Sequence, residues 1–249
     1  KTLEIYKDFV EDYLCMPVLV GEKTENERFA GAQNTYTLEA LMQDGHALQC
    51  ATSHYLGQSF ARAYDVKYQT KDNKFDVVHQ TSAGISTRII GGLIMSHSDD
   101  NGLILPFKIA PIQIAVIVVN ANDKATTNYV KNIKKVLGNK YRYIVDDSDK
   151  SFGFKINKYQ VQGVPFCIVV GNQEIQAKEV TFIRRDSNDK TRISFKSLAK
   201  HLTSSIKQYQ ESLYNTANNR LRSSIVEVEN FNQFKEVINN KKIALAYFN

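Results

Sequence analysis

The sequence predicts a protein with both α+β and α/β parts: an antiparallel sheet with helices over residues 1–109, then a mostly parallel α/β domain over 110–213. Two observations lead to this fold class. The first half contains short strand-like runs joined by hairpin signals, of which Asp44-Gly45 is the clearest. Further along, strand patterns alternate with helical ones, which is typical of a parallel sheet. Residues 214–249 predict the start of a truncated C-terminal domain.

Local periodicity identifies the elements of the first region. Apolar side chains at helical spacing predict a helix within residues 3–14, and a second helix is predicted over 86–96. In this second helix, Gly91 and Gly92 allow close packing against a neighbour. The predicted strands are residues 35–42, 46–51, 66–69, 75–78 and 102–106.

The alternating pattern begins after Pro111, and we place the domain boundary at 108–111, between Pro106 and Pro111. The predicted strands of this second region are residues 112–119, 141–145, 164–170 and 179–185. Its predicted helices are residues 123–137, 150–162 and 196–213. The C-terminal stretch predicts a helix near 230–240 and a strand over 243–248.

The composition is that of a folded protein, with 43% hydrophobic and 23% charged residues among 249. No apolar run approaches the roughly 20 residues of a membrane helix, so no membrane association is expected. Cys15, Cys50 and Cys167 are too few and too far apart for a disulfide scaffold or a CxxC metal site, which fits a reducing, cytoplasmic location. The net charge of +6 fits a polyanionic partner or an ordinary basic protein equally well.

Three stretches of the first region carry polar residues that packing alone does not require. They are Gln49–His54 (QCATSH), Thr81–Arg88 (TSAGISTR) and Gly91–Pro106 (GGLIMSHSDDNGLILP). With Gly21–Ala32 (GEKTENERFAGA) upstream, they resemble the second half of the catalytic domain of prolyl-tRNA synthetases, in particular the archaeal/eukaryotic-like form. Arg88 and the helix after it resemble motif 3 of class II aminoacyl-tRNA synthetases. The first region is therefore expected to be part of a class II synthetase antiparallel sheet.

This resemblance implies ATP-dependent ligation of L-proline to tRNA(Pro) through prolyl-adenylate, with ATP and magnesium (Mg2+) as cofactors. Negative charge accumulates on the phosphates, and a guanidinium that cannot lose its proton suits that task. The resemblance makes Arg88 the catalytic residue; without the motif, it reads as a helix-surface arginine. The implied ATP contacts are Gln49, Thr52, Ser86 and Arg88, and the implied proline contacts are His54, Ser82 and Gly84. The full-length protein is expected to be a homodimer.

Regular alternation along a strand places Gln49 and Thr52 on opposite faces. Because both are expected to contact the nucleotide, we predict a bend or β-bulge near Ala51. The family usually has Ser-Trp-Gly where this chain has Ser82-Ala83-Gly84, so a large side chain is missing beside the expected proline pocket.

The second region resembles the anticodon-binding domain of class IIa synthetases, most clearly over Ser151–Pro165 (SFGFKINKYQVQGVP). Such a surface needs hydrogen-bond donors that recognise the bases of single-stranded RNA. The residues expected there are Lys155, Gln160, Arg184 and Arg185, for which the alternative is a solvated face. The family commonly has glutamate at Gln160 and arginine at Cys167, so hydrogen-bonding capacity is altered at both positions.

Parts of the family pattern are not found in this chain. Motifs 1 and 2, which supply the dimer interface and a further ATP-binding arginine, are expected upstream of residue 1. A small terminal domain, often with zinc cysteines, is expected beyond residue 249. We therefore expect this stretch to be a fragment that is inactive on its own.

Two alternatives remain open at this point. Another class IIa synthetase, such as the threonyl enzyme, is disfavoured because its zinc site of Cys and His has no counterpart here. A non-catalytic tRNA-binding paralogue is favoured by Ala83, Gln160 and Cys167 but disfavoured by the other motif residues. No metal site is predicted, because His97, Asp99 and Asp100 are expected to form a helix end and a turn before Gly102.

Overall fold

A computed structural model describes residues 1–119 and 124–247 of the chain. Contacts between Cα atoms divide the chain into two compact units. Unit 1 comprises residues 1–12, 16–92 and the described part of 218–249, and unit 2 comprises residues 13–15 and 93–217. Among the described residues, no helix is both long enough and apolar enough to cross a membrane.

The helices and strands have the following bounds. The α-helices are α1 (Thr2–Asp8), α2 (Ser59–Ala63), α3 (Arg88–His97), α4 (Lys124–Leu137), α5 (Phe152–Val161), α6 (Asn172–Ala177), α7 (Leu198–Ser224) and α8 (Phe231–Asn239). The strands are β1 (Leu19–Glu22), β2 (Asn34–Leu41), β3 (Ala47–Gly57), β4 (Lys67–Gln69), β5 (Phe75–Val77), β6 (Gln80–Ile85), β7 (Ile114–Val118), β8 (Tyr143–Asp146), β9 (Phe166–Val170), β10 (Glu179–Arg184), β11 (Lys190–Ser194), β12 (Ile225–Val228) and β13 (Ile243–Ala246). A π-helical turn over Phe9–Tyr13 follows α1.

Unit 1 is built on an antiparallel sheet with the strand order β1-β2-β3-β6. The Asp44-Gly45 turn joins β2 to β3, and Gly45 has a φ of 86°, which glycine adopts without strain. The hairpin β4–β5 forms a separate two-stranded sheet, as do the parallel strands β12 and β13. The antiparallel sheet expected for this region is therefore confirmed.

Unit 2 is built on a five-stranded sheet with the order β11-β10-β9-β7-β8. Strands β7, β8 and β9 pair in parallel, whereas β9–β10 and β10–β11 pair antiparallel, so the sheet is mixed rather than mostly parallel. Every residue of β7 (IAVIV) and β9 (FCIVV) is buried, as expected for strands covered on both faces. Helix α4 buries Val130, Ile133 and Leu137 at helical spacing.

Some elements differ from the sequence-based expectations. Residues 102–106 form no strand apart from an isolated bridge at Gly102, while β1, α2, β6, α6, β11 and β12 were not predicted. Helix α7 continues past residue 213 to Ser224, through the polar stretch expected to interrupt it. Two predicted elements extend by one residue each, Asp123 and Phe248, beyond the residues that the structure describes.

Candidate functional site

A β-bulge in β3 shapes the candidate site in unit 1. Leu38 pairs with Ala51, but the next residue of β2, Glu39, pairs with Gln49, so Cys50 is the extra residue. The bulge predicted near Ala51 is therefore confirmed. Its effect is to shift the alternation of β3 by one residue, which changes the face on which Gln49 lies.

The bulge brings three of the expected site residues to one face of the sheet. Gln49, Thr52 and His54 pair with Glu39, Thr37 and Thr35 respectively, which are alternate residues of β2. Directly opposed residues of paired strands project to the same side, and alternate residues of one strand also share a side. All six side chains therefore lie on one surface, which we call the polar face.

Strand β6 adds the remaining proline contacts to the polar face. Ser82 pairs with His54, and Gly84 pairs with Thr52. A Cβ atom placed on Gly84 meets no described atom within 4 Å, so there is open space above this position. Ala83 pairs with Ser53 on the opposite face, so the missing tryptophan side chain of the family motif does not open the polar face itself.

His54 is held by hydrogen bonding and ring contacts. Its Nδ1 lies 3.0 Å from the Thr35 hydroxyl oxygen, and its ring centroid lies 4.9 Å from that of Phe29. Burial, together with the positive charge of Lys23, lowers the pKa of His54. Both effects favour the neutral form of the ring.

Sequence reasoning missed the residues of β2 that complete the polar face. The buried Thr37 donates its hydroxyl hydrogen to Glu39 Oε1 at 2.7 Å, which fixes a carboxylate opposite Gln49. The signal was present in the sequence, because Thr35, Thr37 and Glu39 alternate with Tyr36 and Leu38. Polar residues at every second position of a half-buried strand mark a functional face as well as a solvated one.

Arg88 is the first residue of α3 and is exposed. Its backbone N–H donates to the Ser86 hydroxyl at 3.3 Å, and Ile89 N–H donates to the Ser86 carbonyl, so Ser86 caps the helix start. No hydrogen bond or ion pair is found for the Arg88 guanidinium among the described residues. A charged group of this kind beside a helix N-terminus suits an anionic ligand.

Three of the four expected anticodon contacts surround one pocket in unit 2. The pocket is lined by Gln160, Arg184 and Arg185 together with Ile156, Val164, Cys167, Ile183 and Asn188. Gln160 Nε2 donates to Asn188 Oδ1 at 3.1 Å. Gln160 and Cys167, the two departures from the family pattern, thus line the same pocket. Burial raises the pKa of the Cys167 thiol to about 12, so it is an uncharged lining group.

The two arginines at this pocket are already paired. Arg184 makes a two-pronged contact with Asp186 at 2.7 and 3.0 Å. Arg185 is buried and donates to both carboxylate oxygens of Asp99, to the Gly102 carbonyl and to the Gln160 carbonyl. The hydrogen bonds from Arg185 lower the pKa of Asp99. Residues 97–102 are the predicted helix end and turn, which Arg185 holds in place.

Lys155 does not lie at the surface where it was expected. Only 1% of the residue is exposed, and its Nζ donates to the Val118 carbonyl at 2.8 Å and lies 3.8 Å from Asp146 Oδ1. Tyr159 donates to the other oxygen of Asp146 at 2.9 Å. The surface prediction was wrong because a long side chain on α5 can reach inward to carbonyls at the strand ends, and helical spacing does not distinguish the two cases.

No group of three or more His, Cys, Asp or Glu side chains in the described part of the chain is arranged to hold a metal ion.

Comparisons with known proteins show which proteins this chain is similar to. The family model described as "Anticodon binding domain" matches residues 113–205. Proline--tRNA ligase of Malacoplasma penetrans is 51% identical over 98% of this chain and 52% of the relative, and that of Ureaplasma parvum is 47% identical over 99% and 52%. The chain thus spans about half the length of the curated relatives it matches.

Comparison with a solved structure agrees with the sequence comparisons. Prolyl-tRNA synthetase from Cryptosporidium parvum, complexed with L-proline and AMP, superposes with a TM-score of 0.92 and 32% identity. The match covers 98% of this chain and 54% of that one. Over nearly all of its residues, this chain is therefore similar in both sequence and fold to about half of a prolyl-tRNA synthetase.

Proposed function

We propose that the complete protein containing this chain ligates L-proline to tRNA(Pro) at the expense of ATP, through prolyl-adenylate. The observation that carries this proposal is the polar face, on which a bulge gathers Gln49, Thr52 and His54 beside Ser82 and Gly84. The Cryptosporidium relative, solved with L-proline and AMP, supports the same pair of substrates. Because the chain spans about half of its relatives, the activity is proposed for the complete protein and not for this stretch alone.

The first step is attack of the proline carboxylate on the α-phosphorus of ATP, with pyrophosphate as the leaving group. We assign Arg88 to the phosphates, because its exposed guanidinium can donate two parallel hydrogen bonds to developing negative charge. Gln49, Thr52 and Ser86 are assigned to the nucleotide, and His54, Ser82 and Gly84 to proline. Magnesium is proposed to arrive with the ATP phosphates, whose charge it neutralises.

We further propose that the pocket of unit 2 takes an anticodon base of tRNA(Pro). Gln160 offers amide hydrogen-bonding groups there, and Arg184 and Arg185 line the pocket while paired to Asp186 and Asp99. Lys155 is proposed to act only by supporting the domain, since its ammonium group is buried. A cytoplasmic location and a homodimer remain proposals drawn from the family.

The direct test is proline-dependent exchange of pyrophosphate into ATP by the complete protein with magnesium. Arg88→Ala should reduce exchange by about 100–1000-fold, because a charge-assisted contact to a transition-state phosphate is worth roughly 3–4 kcal/mol. The exposed Arg62→Ala is a matched control, since it removes an arginine of α2 that bonds only Gln58 among the described residues. Exchange by Arg88→Ala within a few-fold of wild type would remove Arg88 from the mechanism.

The same assay separates the alternatives. Exchange that depends on threonine rather than proline would identify a threonyl-type enzyme. Absence of exchange with any amino acid, together with retained tRNA binding, would identify a non-catalytic paralogue.

A further inference from the structure

The hydroxyl of Thr35 lies between a backbone amide and the His54 ring. Thr35 pairs directly with His54 across β2 and β3, and only 1% of the residue is exposed. Its Oγ1 accepts a hydrogen bond from Phe29 N–H at 3.1 Å and lies 3.0 Å from His54 Nδ1. Two consecutive hydrogen bonds thus connect the Phe29 amide, the Thr35 hydroxyl and the imidazole.

The number of hydrogens available to these two hydrogen bonds decides the tautomer of His54. A threonine hydroxyl has one hydrogen to donate. If Nδ1 carried a proton, it would donate to Oγ1, and the buried Thr35 hydrogen would have no acceptor among the described residues. If Thr35 instead donates to Nδ1, every group is satisfied and the imidazole proton lies on Nε2. Buried polar groups are rarely left unpaired, so the second arrangement is favoured.

The surroundings also keep the ring neutral and fixed in orientation. An imidazolium would carry hydrogen on both nitrogens and would again leave the Thr35 hydrogen unpaired. Burial and the Lys23 charge act in the same direction. The Phe29 ring, itself stacked at 6.3 Å on Phe60, lies at 37° to the imidazole plane and restricts its rotation. The free Nε2–H lies on the side of the ring away from Nδ1 and Thr35.

We propose that Thr35 is a positioning residue that holds His54 as the neutral Nε2–H tautomer, so that His54 offers one N–H donor to a carboxyl oxygen of bound proline. This inference rests on the proposed proline site of the polar face. A neutral donor can orient the attacking carboxylate without the strong charge pairing that would make the carboxylate a weaker nucleophile. Thr35 itself does not touch the substrate.

The test uses two variants of the complete protein. Thr35→Val removes the hydroxyl and keeps the branched shape, whereas Thr35→Ser keeps the hydroxyl. In pyrophosphate exchange, Thr35→Val should raise KM for proline about tenfold, the size expected for one misplaced hydrogen bond. KM for ATP should stay within about twofold, and Thr35→Ser should restore KM for proline to within about threefold of wild type.

A second readout observes the tautomer directly by 15N NMR of histidine-labelled protein, with His54→Gln used to assign the signal. Wild type should show a protonated Nε2 and an unprotonated Nδ1, and Thr35→Val should show a mixture. Thr37→Val is the matched control for this spectrum, because its hydroxyl lies on the same strand and face but bonds Glu39. It should leave the His54 signals unchanged.

The possible results distinguish failure of this inference from failure of the proposed function. A wild-type spectrum with protonated Nδ1 overturns the inference, and it does so even if Thr35→Val fails to fold. An unchanged KM for proline and an unchanged spectrum in Thr35→Val also overturn it, while leaving proline activation intact. Wild-type protein without proline-dependent exchange overturns the proposed function instead, and the spectrum still decides the tautomer.

Discussion

The two units hold their polar side chains in opposite ways. In unit 1, Arg88 is exposed at the start of α3, and Gly84 leaves space above the polar face. In unit 2, Lys155 and Arg185 are buried and their donors are occupied by backbone carbonyls and carboxylates. A basic residue within a recognised motif can therefore be available to bind a ligand or can stabilise the fold. The partners of its side chain distinguish these two roles.

The largest effect is expected at Lys155, where a substitution tests whether the buried ammonium group stabilises unit 2. Lys155→Met keeps the length of the side chain but leaves the Val118 carbonyl unpaired and the Asp146 carboxylate short of a cation. Breaking a buried charged contact costs about 3–5 kcal/mol. We therefore expect unit 2 to lose about 3 kcal/mol of stability, measured by hydrogen exchange of the β7 and β8 amides in the complete protein.

Lys158→Met is the matched control for that experiment. Its ammonium group lies 3.7 Å from the same Asp146 carboxylate, but 42% of its side chain is exposed. Exposed ion pairs contribute about 0–1 kcal/mol, so exchange should change little. If instead Lys155→Met left exchange unchanged and weakened tRNA binding, Lys155 would be a ligand contact after all.

A smaller effect is expected at Arg185. Arg185→Gln removes the bidentate contact with Asp99, which is itself more than a third exposed, and hydrogen bonds to the Gly102 and Gln160 carbonyls. We expect a loss of about 2 kcal/mol, seen as faster hydrogen exchange over residues 97–103 and β9. Exchange should respond less to Arg184→Gln, because the Arg184–Asp186 contact is local in sequence. Equal responses would show that Arg185 does not clamp this turn.

These residues show what the sequence could and could not predict. The bulge was predicted because the family resemblance assigns Gln49 and Thr52 to the same nucleotide, whereas regular alternation places them on opposite faces. Strand β6 was missed because Ala83 and Gly84 have weak strand propensity, and pairing with β3 overrides it. The burial of Lys155 depends on carbonyls at the ends of β7 and β8, which lie 37 and 9 residues away in sequence. No local pattern of α5 contains that information.

The smallest stability effect, and the sharpest contrast between the faces of one sheet, is expected at Gly84. Its φ lies outside the left-handed range and a Cβ there meets no described atom, so Gly84→Ala should change the free energy of unfolding by no more than about 1 kcal/mol. The added methyl group occupies space on the polar face, where proline is proposed to bind, so KM for proline should rise several-fold. Ala83→Val is the matched control, because it enlarges the neighbouring residue on the opposite face. It should leave KM for proline unchanged, and a larger effect from Ala83→Val than from Gly84→Ala would mean that proline binds to the other side of β6.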